Sequence, residues 1–194
     1  MPGMYPPGHY DLAGFVVGAV ERTSMLPDHN AMQAGDVLIG IASSGPHSNG
    51  FSLIRKVVER TGLSYEDAAP FTNKSLGEAL LEPTRLYSAA ALPLIRSGLT
   101  SGLAHITGGG LTENTPRMCP ANLSPRIDRE AWTPPAVFDW LASEGNIDTD
   151  EMHRTFNMGI GLVFAVAPNH VDAALAKLSE LGETPVVIGD LTNA

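Results

Sequence analysis

The sequence predicts a layered domain of the α+β or α/β class. Three observations lead there. Short β-branched runs, such as residues 36–42 and 161–166, are interspersed with longer stretches whose apolar residues recur at helical spacing. The 194 residues suffice for one domain with a real core, and they contain no repeat or low-complexity segment. A hydrophobic content of 43% against 17% charged residues describes a folded chain with a polar exterior.

Residues 1–10 are rich in proline and glycine and read as a connector, with the domain proper over residues 11–194. Residues 11–21 read as a first strand, built on Phe15, Val16, Val17 and Val20 and interrupted by Gly14 and Gly18. Residues 36–42 form a second strand after the turn Ala34-Gly35-Asp36. Phe51, Ile54, Val57 and Val58 then mark one face of a helix, with Arg55, Lys56, Glu59 and Arg60 opposite and Gly62 as its C-cap. Helices are expected over 76–81 and 84–97. The second would bury Leu86, Ala90 and Leu94, and Pro93 would kink it. Residues 103–106 and 123–128 read as short strands, 135–143 as a helix opening on proline, and 161–166 as a buried strand. Residues 168–181 form the clearest helix, with Val171, Ala174, Leu175, Leu178 and Leu181 on one face and Gly182 beyond. Residues 186–188 give the last strand.

Composition excludes several functional classes. The net charge of −9 and only three lysines, Lys56, Lys74 and Lys177, argue against a nucleic-acid surface. No apolar run approaches the roughly 20 residues of a membrane span, and no signal peptide opens the chain. Cys119 is the single cysteine, which rules out an internal disulfide and fits a cytoplasmic location. The six histidines show no His-x-x-x-His pair, so no metal site is expected.

Two glycine-rich loops carry the chemistry. Ser43-Ser44-Gly45-Pro46-His47-Ser48-Asn49-Gly50 and His105-Ile106-Thr107-Gly108-Gly109-Gly110 each follow an expected strand and open an expected helix. Glycine lets backbone N–H groups approach a ligand, and a helix N-terminus gathers unpaired donors and partial positive charge, so both loops suit a phosphorylated small molecule. Ser43, Ser44, Gly45, Ser48 and Asn49 are the candidate phosphate ligands of the first loop, and Thr107, Gly108, Gly109 and Gly110 those of the second. His47 and His105 are the catalytic candidates, for proton transfer or for stabilising developing charge. Arg85, Asn114 and Asn157 are secondary candidates and Arg154 is a further cation; each of the two arginines could equally form a structural salt bridge. The same residues also suit plainer roles: Ser48 or Asn49 as an ordinary helix N-cap, and the glycine triplet as tight strand–helix packing. Neither loop contains the Gly-Lys-Ser/Thr of a Walker motif, and Gly159-Ile160-Gly161 is only part of a dinucleotide fingerprint. Asp148, Asp150 and Glu151 read as the acidic first turn of a helix.

These loops belong to a longer ordered series. Met1-Pro2-Gly3-Met4-Tyr5, Tyr10-Asp11-Leu12-Ala13-Gly14-Phe15, the first loop through Phe51-Ser52-Leu53, Glu82-Pro83-Thr84-Arg85, the second loop, and Arg154-Thr155-Phe156-Asn157-Met158-Gly159 together closely resemble the phosphoribosylformylglycinamidine cyclo-ligase family, also called aminoimidazole ribonucleotide synthetases. The resemblance implies an α+β C-terminal domain with three α/β/α layers, a mixed sheet and a partly ferredoxin-like arrangement. It implies ATP-dependent conversion of formylglycinamidine ribonucleotide into aminoimidazole ribonucleotide in purine biosynthesis. The formyl oxygen is activated by phosphorylation, an amidine nitrogen closes the ring, and ADP and phosphate leave. ATP and magnesium are the implied cofactors, held mainly by a first domain that this sequence lacks, and the full-length family is expected to be a homodimer. The last strand looks truncated by the same comparison. Two other readings remain open: a non-catalytic nucleotide- or partner-binding module, and another member of the same ATP-dependent superfamily. A domain separated from its partner should expose an apolar face, to which residues 1–7 and 11–20 would contribute.

Overall fold

All seven residues of one strand, Ile160–Val166, are buried, and the remaining elements are arranged around it. The computed structural model describes Gly8, Tyr10 and residues 12–194. Expectations for residues 1–7, His9 and Asp11 lie outside the described residues. In chain order the elements are β1 Val37–Ala42, α1 Phe51–Thr61, α2 Leu76–Leu80, α3 Ser88–Arg96, β2 Gly102–His105 and α4 Gly110–Asn114. They continue with β3 Leu123–Ile127, α5 Ala136–Gly145, α6 Thr149–Thr155, β4 Ile160–Val166, α7 Val171–Glu180 and β5 Val186–Asn193.

The five strands form one sheet in the order β2-β4-β1-β5-β3. Every neighbouring pair is antiparallel, which corrects the expected mixed sheet. The physical reason lies in the connections. Strands β1 and β2 run parallel to each other, but β4 lies between them, so no parallel pair is in hydrogen-bonding contact. Without β3, the order of β2, β4, β1 and β5 is that of the ferredoxin-like split β-α-β arrangement, with α3 and α7 as its two crossover helices.

Alternating side chains of the central strands face two cores. Ile39, Ile41, Leu162, Phe164 and Val166 pack under α3 and α7 with Ala90, Leu94, Ala174 and Leu178. Leu38, Val163, Ala165, Ile188 and Leu191 face Met32, Leu111 and Met118 on the other side. A third cluster joins α1, α2, α5 and α6 through Ile54, Val57, Leu76, Phe138, Leu141, Met152 and Phe156. The layered α+β class therefore holds, with helices covering both faces of the sheet.

Most expected elements stand within a few residues of their predicted limits. Helix α1 ends on Gly62 in the left-handed region, and α2 begins with a capping box between Ser75 and Glu78. Strand β5 runs through Asn193 and pairs with β1 on one side and β3 on the other, so it is longer than 186–188. Pro125 sits on β3, an edge strand, where its missing N–H is tolerated.

Four expectations are corrected. Residues 12–21 take no regular secondary structure, so the first strand is absent. Phe15 and Val16 are 94% and 91% exposed, and an apolar run with no sheet edge to join gains nothing from strand geometry. The helix expected from residue 84 starts at Ser88. Glu82 precedes a proline, which disfavours helix there, and the side chains of Arg85 and Tyr87 are tied to Ala42. Leu86 consequently lies outside the helix and is exposed, not buried. Leu181 follows the last turn of α7 as its C-cap and stays partly exposed instead of joining the face formed by Ala174 and Leu178.

Two substitutions separate the cores from the exposed run. Phe164→Ala removes a fully buried ring from β4 and is expected to cost about 3–5 kcal/mol in urea unfolding. Phe15→Ser is expected to change stability by less than about 0.5 kcal/mol in the same assay, because its ring is already in solvent.

Candidate functional site

Because β1 and β2 run parallel with β4 between them, their C-terminal ends lie at one margin of the sheet, where β4 begins. The first glycine loop leaves β1 there and the second leaves β2. The side-chain oxygen Oδ1 of Asn49 comes within 3.8 Å of where a Cβ on Gly108 would stand, which brings the two loops together as expected.

Buried asparagines set the shape of both loops. Asn157, just before β4, donates from Nδ2 to the carbonyl of Gly45 at 2.8 Å, and its Oδ1 accepts from the Gly159 N–H at 2.8 Å. Ser43 donates its backbone N–H to the Gly159 carbonyl, and its hydroxyl lies within hydrogen-bond distance of Gly45 O and Asn157 Oδ1. In the second loop, Asn114 Nδ2 reaches the carbonyls of Thr107, Gly108 and Gly110, while the Thr107 hydroxyl donates to Asn114 Oδ1. Asn114 and Asn157 are therefore loop staples, not ligand contacts, and the hydroxyls of Ser43 and Thr107 are already engaged. The Ser44 hydroxyl likewise donates to the Pro83 carbonyl at 2.7 Å.

The glycines divide by role. A Cβ on Gly110 would stand 2.1 Å from the His153 carbonyl oxygen, so this residue allows α4 to pack against α6 and is not free to bind a ligand. Gly108 and Gly109 instead border a hollow of about 360 Å³ lined also by Gly50, Glu113, Glu151, Arg154 and Thr155. Among the described residues, the backbone N–H groups of Gly50, Phe51, Gly108 and Gly109 donate to no acceptor. Helix α1 begins at Phe51 after Gly50, whose φ is 73°, and no side chain caps it; neither Ser48 nor Asn49 takes that role. Ser48 is exposed and Asn49 half-buried at the rim. Of the four unengaged donors, those of Gly50, Gly108 and Gly109 border the hollow and, with the Arg154 guanidinium beside them, suit an anion. The carboxylates oppose it: Glu113 leans over Gly109, and Glu151 is held by Arg154 Nε at 2.9 Å and the Thr155 hydroxyl at 2.9 Å.

The histidines occupy unequal positions. His47 is 2% exposed and has φ 55°, a conformation uncommon for a residue with a side chain. Its Nε2 accepts the Ser44 N–H at 3.1 Å, so the ring is neutral with its proton on Nδ1, and that buried atom has no acceptor among the described residues. Burial, reinforced by His105 and Arg85, pushes its pKa down to about 4. His47 is thus an enclosed anchor and not an accessible proton shuttle. His105 is exposed at the end of β2, with its ring centroid 6.5 Å from that of His47 and 5.8 Å from that of Tyr87.

Sequence reasoning did not single out Tyr87, Gly161 or Glu183. A Cβ on Gly161 would lie 1.8 Å from the Tyr87 hydroxyl and 3.0 Å from the His47 ring, so Gly161 forms a notch in β4 that admits both. The Tyr87 hydroxyl donates to the Ala42 carbonyl at 2.9 Å, and Arg85 donates to the same oxygen at 2.7 Å. Arg85 is also paired with Glu183, so it is not a cation free to meet a ligand.

The chain has clear relatives among known proteins. The chain is 53% identical over 192 residues to a bifunctional purine biosynthetic protein of Pichia angusta, covering 98% of this chain and 24% of that one. It is 50% identical over 192 residues to the phosphoribosylformylglycinamidine cyclo-ligase of Chromobacterium violaceum, covering 98% of this chain and 55% of that one. The chain thus spans about half of the bacterial relative and about a quarter of the fungal one. Among solved structures, thiamine-monophosphate kinase from Stenotrophomonas maltophilia K279a superposes with a TM-score of 0.59 at 18% identity, covering 84% of this chain and 49% of that one. The E. coli hydrogenase maturation protein HypE gives 0.53 at 22%, covering 84% and 46%. These two likenesses bear on the fold alone. Residues 33–194 match the family described as AIR synthase related protein, C-terminal domain, and the chain belongs to that family.

Proposed function

We propose that this chain supplies the C-terminal half of an ATP-dependent cyclo-ligase site that closes formylglycinamidine ribonucleotide to aminoimidazole ribonucleotide in the cytoplasm. The observation that carries the proposal is the hollow bordered by Gly50, Gly108 and Gly109, whose N–H groups donate to no acceptor among the described residues, with Arg154 beside them. Such donors bind phosphate oxygens without reorganising, which is how a protein lowers the barrier of phosphoryl transfer. Family membership and the cyclo-ligase name of the bacterial relative support the reaction type.

In this reading the loop amides orient a phosphorylated ligand, and Asn114 and Asn157 keep the loop carbonyls turned away from it. Neutral His47 fixes the Ser44 amide, so it holds the loop and does not carry the proton. His105, exposed beside it, is the group that moves a proton or faces developing charge. Bound ATP would supply the phosphoryl group for the formyl oxygen and leave as ADP, and the Gly50, Gly108 and Gly109 amides would hold the phosphates. Among the described residues no three His, Cys, Asp or Glu side chains converge, so these residues do not fit a magnesium cage, and no step is assigned to the metal here.

Residues before the family match at 33 present Phe15, Val16, Val17 and Val20 to solvent. We read them as the strip on which the remaining portion of the enzyme, a preceding domain, packs. The 194-residue chain is then expected to bind substrate or nucleotide in calorimetry but to show no turnover until that portion is added. Full turnover by the chain alone would sink the half-site reading, and absence of binding to either ligand would sink the phosphate reading. Arg154→Ala is expected to weaken the binding about tenfold, or roughly 1.4 kcal/mol.

The pH dependence follows from His47. Its folded pKa of about 4 lies below the ordinary 6.5, so the unfolded state binds more protons between these values. The stability it contributes is complete above about 6.5 and is lost as pH falls through 4. Nitrogen NMR of the imidazole is expected to report the Nδ1–H tautomer at pH 7 and protonation only near pH 4. A midpoint near 6.5 would contradict the buried-anchor role.

A further inference from the structure

Glu183 stands in the turn between α7 and β5, outside every motif of the sequence. Its side chain is only 10% exposed. Both of its carboxylate oxygens accept from Arg85 Nη2 at 2.9 Å, and Arg85 Nη1 donates to the Ala42 carbonyl at 2.7 Å. The guanidinium also lies over the Tyr87 ring, 5.5 Å from its centroid, and the Tyr87 hydroxyl donates to the same carbonyl. Ala42 is the last residue of β1, where the ladder with β4 shifts register between Ile41 and Ala42. The next residues are the first glycine loop.

We infer that Glu183 is a positioning residue for that loop: by clamping Arg85 it pins the Ala42 carbonyl and sets the direction in which residues 43–49 leave the sheet. An exposed ion pair contributes little, because water competes for both charges. This one is half-buried, with the Arg85 side chain 34% and that of Glu183 10% exposed; both carboxylate oxygens share Nη2, and Nη1 is spent on a backbone oxygen. Ser44 ties the far side of the same strap through the Pro83 carbonyl, so residues 82–87 grip the loop at two points. The route from Glu183 to the loop is a chain of direct contacts: carboxylate, guanidinium, carbonyl, loop. The functional consequence rests on the reading that the loop amides hold a phosphorylated ligand.

Amide hydrogen exchange together with pyrophosphate titration of the 194-residue chain tests the inference. The Ser43 N–H, bonded to Gly159 O, and the Ser44 N–H, bonded to His47 Nε2, report on the first loop, and the Gly110 N–H, bonded to Thr107 O, serves as control. Glu183→Ala is expected to speed exchange at Ser43 and Ser44 by about tenfold or more and leave Gly110 unchanged. It is expected to weaken pyrophosphate binding about fivefold. Arg85→Ala should do the same, and the double variant should add nothing. Glu183→Gln, which keeps the shape without the charge, should fall between. Equal acceleration in both loops, a lowered melting temperature with the first loop unchanged, or additive effects of the two substitutions would each overturn the inference. Should the unaltered chain bind no pyrophosphate, the phosphate reading falls, and the exchange data still decide the role of Glu183.

Discussion

The insertion of β4 between β1 and β2 is the constraint on which the candidate site depends. Two parallel strands separated by an antiparallel one end at the same sheet margin, and the intervening strand begins there. Two loops far apart in sequence, together with the segment holding Asn157, are thereby brought to one place. Burial of all seven β4 residues keeps this register, since slipping by one residue would exchange the side chains facing the two cores. The site is thus a consequence of topology before it is a consequence of side chains.

Within that frame the backbone does most of the shaping. Gly110 and Gly161 stand where a methyl group would collide with the His153 carbonyl or the Tyr87 hydroxyl, and their absence of side chain lets α4 and Tyr87 approach. Asn114 and Asn157 then donate to the buried carbonyls of Gly110 and Gly45, charge-free hydrogen bonds worth about 0.5–1.5 kcal/mol each. The outcome is a pair of loops in which the carbonyls of Gly45, Thr107, Gly108 and Gly110 are occupied, while the N–H groups of Gly50, Gly108 and Gly109 have no acceptor among the described residues. That asymmetry, more than any single charged residue, underlies the proposed phosphate reading of the hollow.

Much of this was legible in the sequence where the signal is local. The glycine loops, the apolar face of α1, the Gly62 cap and the acidic start of α6 each follow from a few neighbouring residues. The helical period over 168–181 likewise gave α7 and its preceding turn. What was not legible depends on partners distant in the chain. A salt bridge is one of the roles open to Arg85 from sequence, but its partner Glu183, 98 residues away, is not readable there. His47 looks like a proton shuttle until its Nε2 is seen to be occupied and its ring enclosed by Tyr87 and Gly161. Residues 12–21 have strand composition, but a strand also needs an edge to pair with, and composition does not report one.

The exposed run also shapes how this polypeptide behaves in solution. Its charge of −9 pushes copies apart, while Phe15, Val16 and Val17 offer a sticky, proline-free stretch of high β propensity. Electrostatic repulsion acts over a distance that shrinks from about 30 Å at 0.01 M salt to about 8 Å at physiological strength. Apolar attraction is not shortened in this way. Dilute buffer therefore keeps copies of this chain apart, and added salt removes the barrier to their meeting through the exposed run.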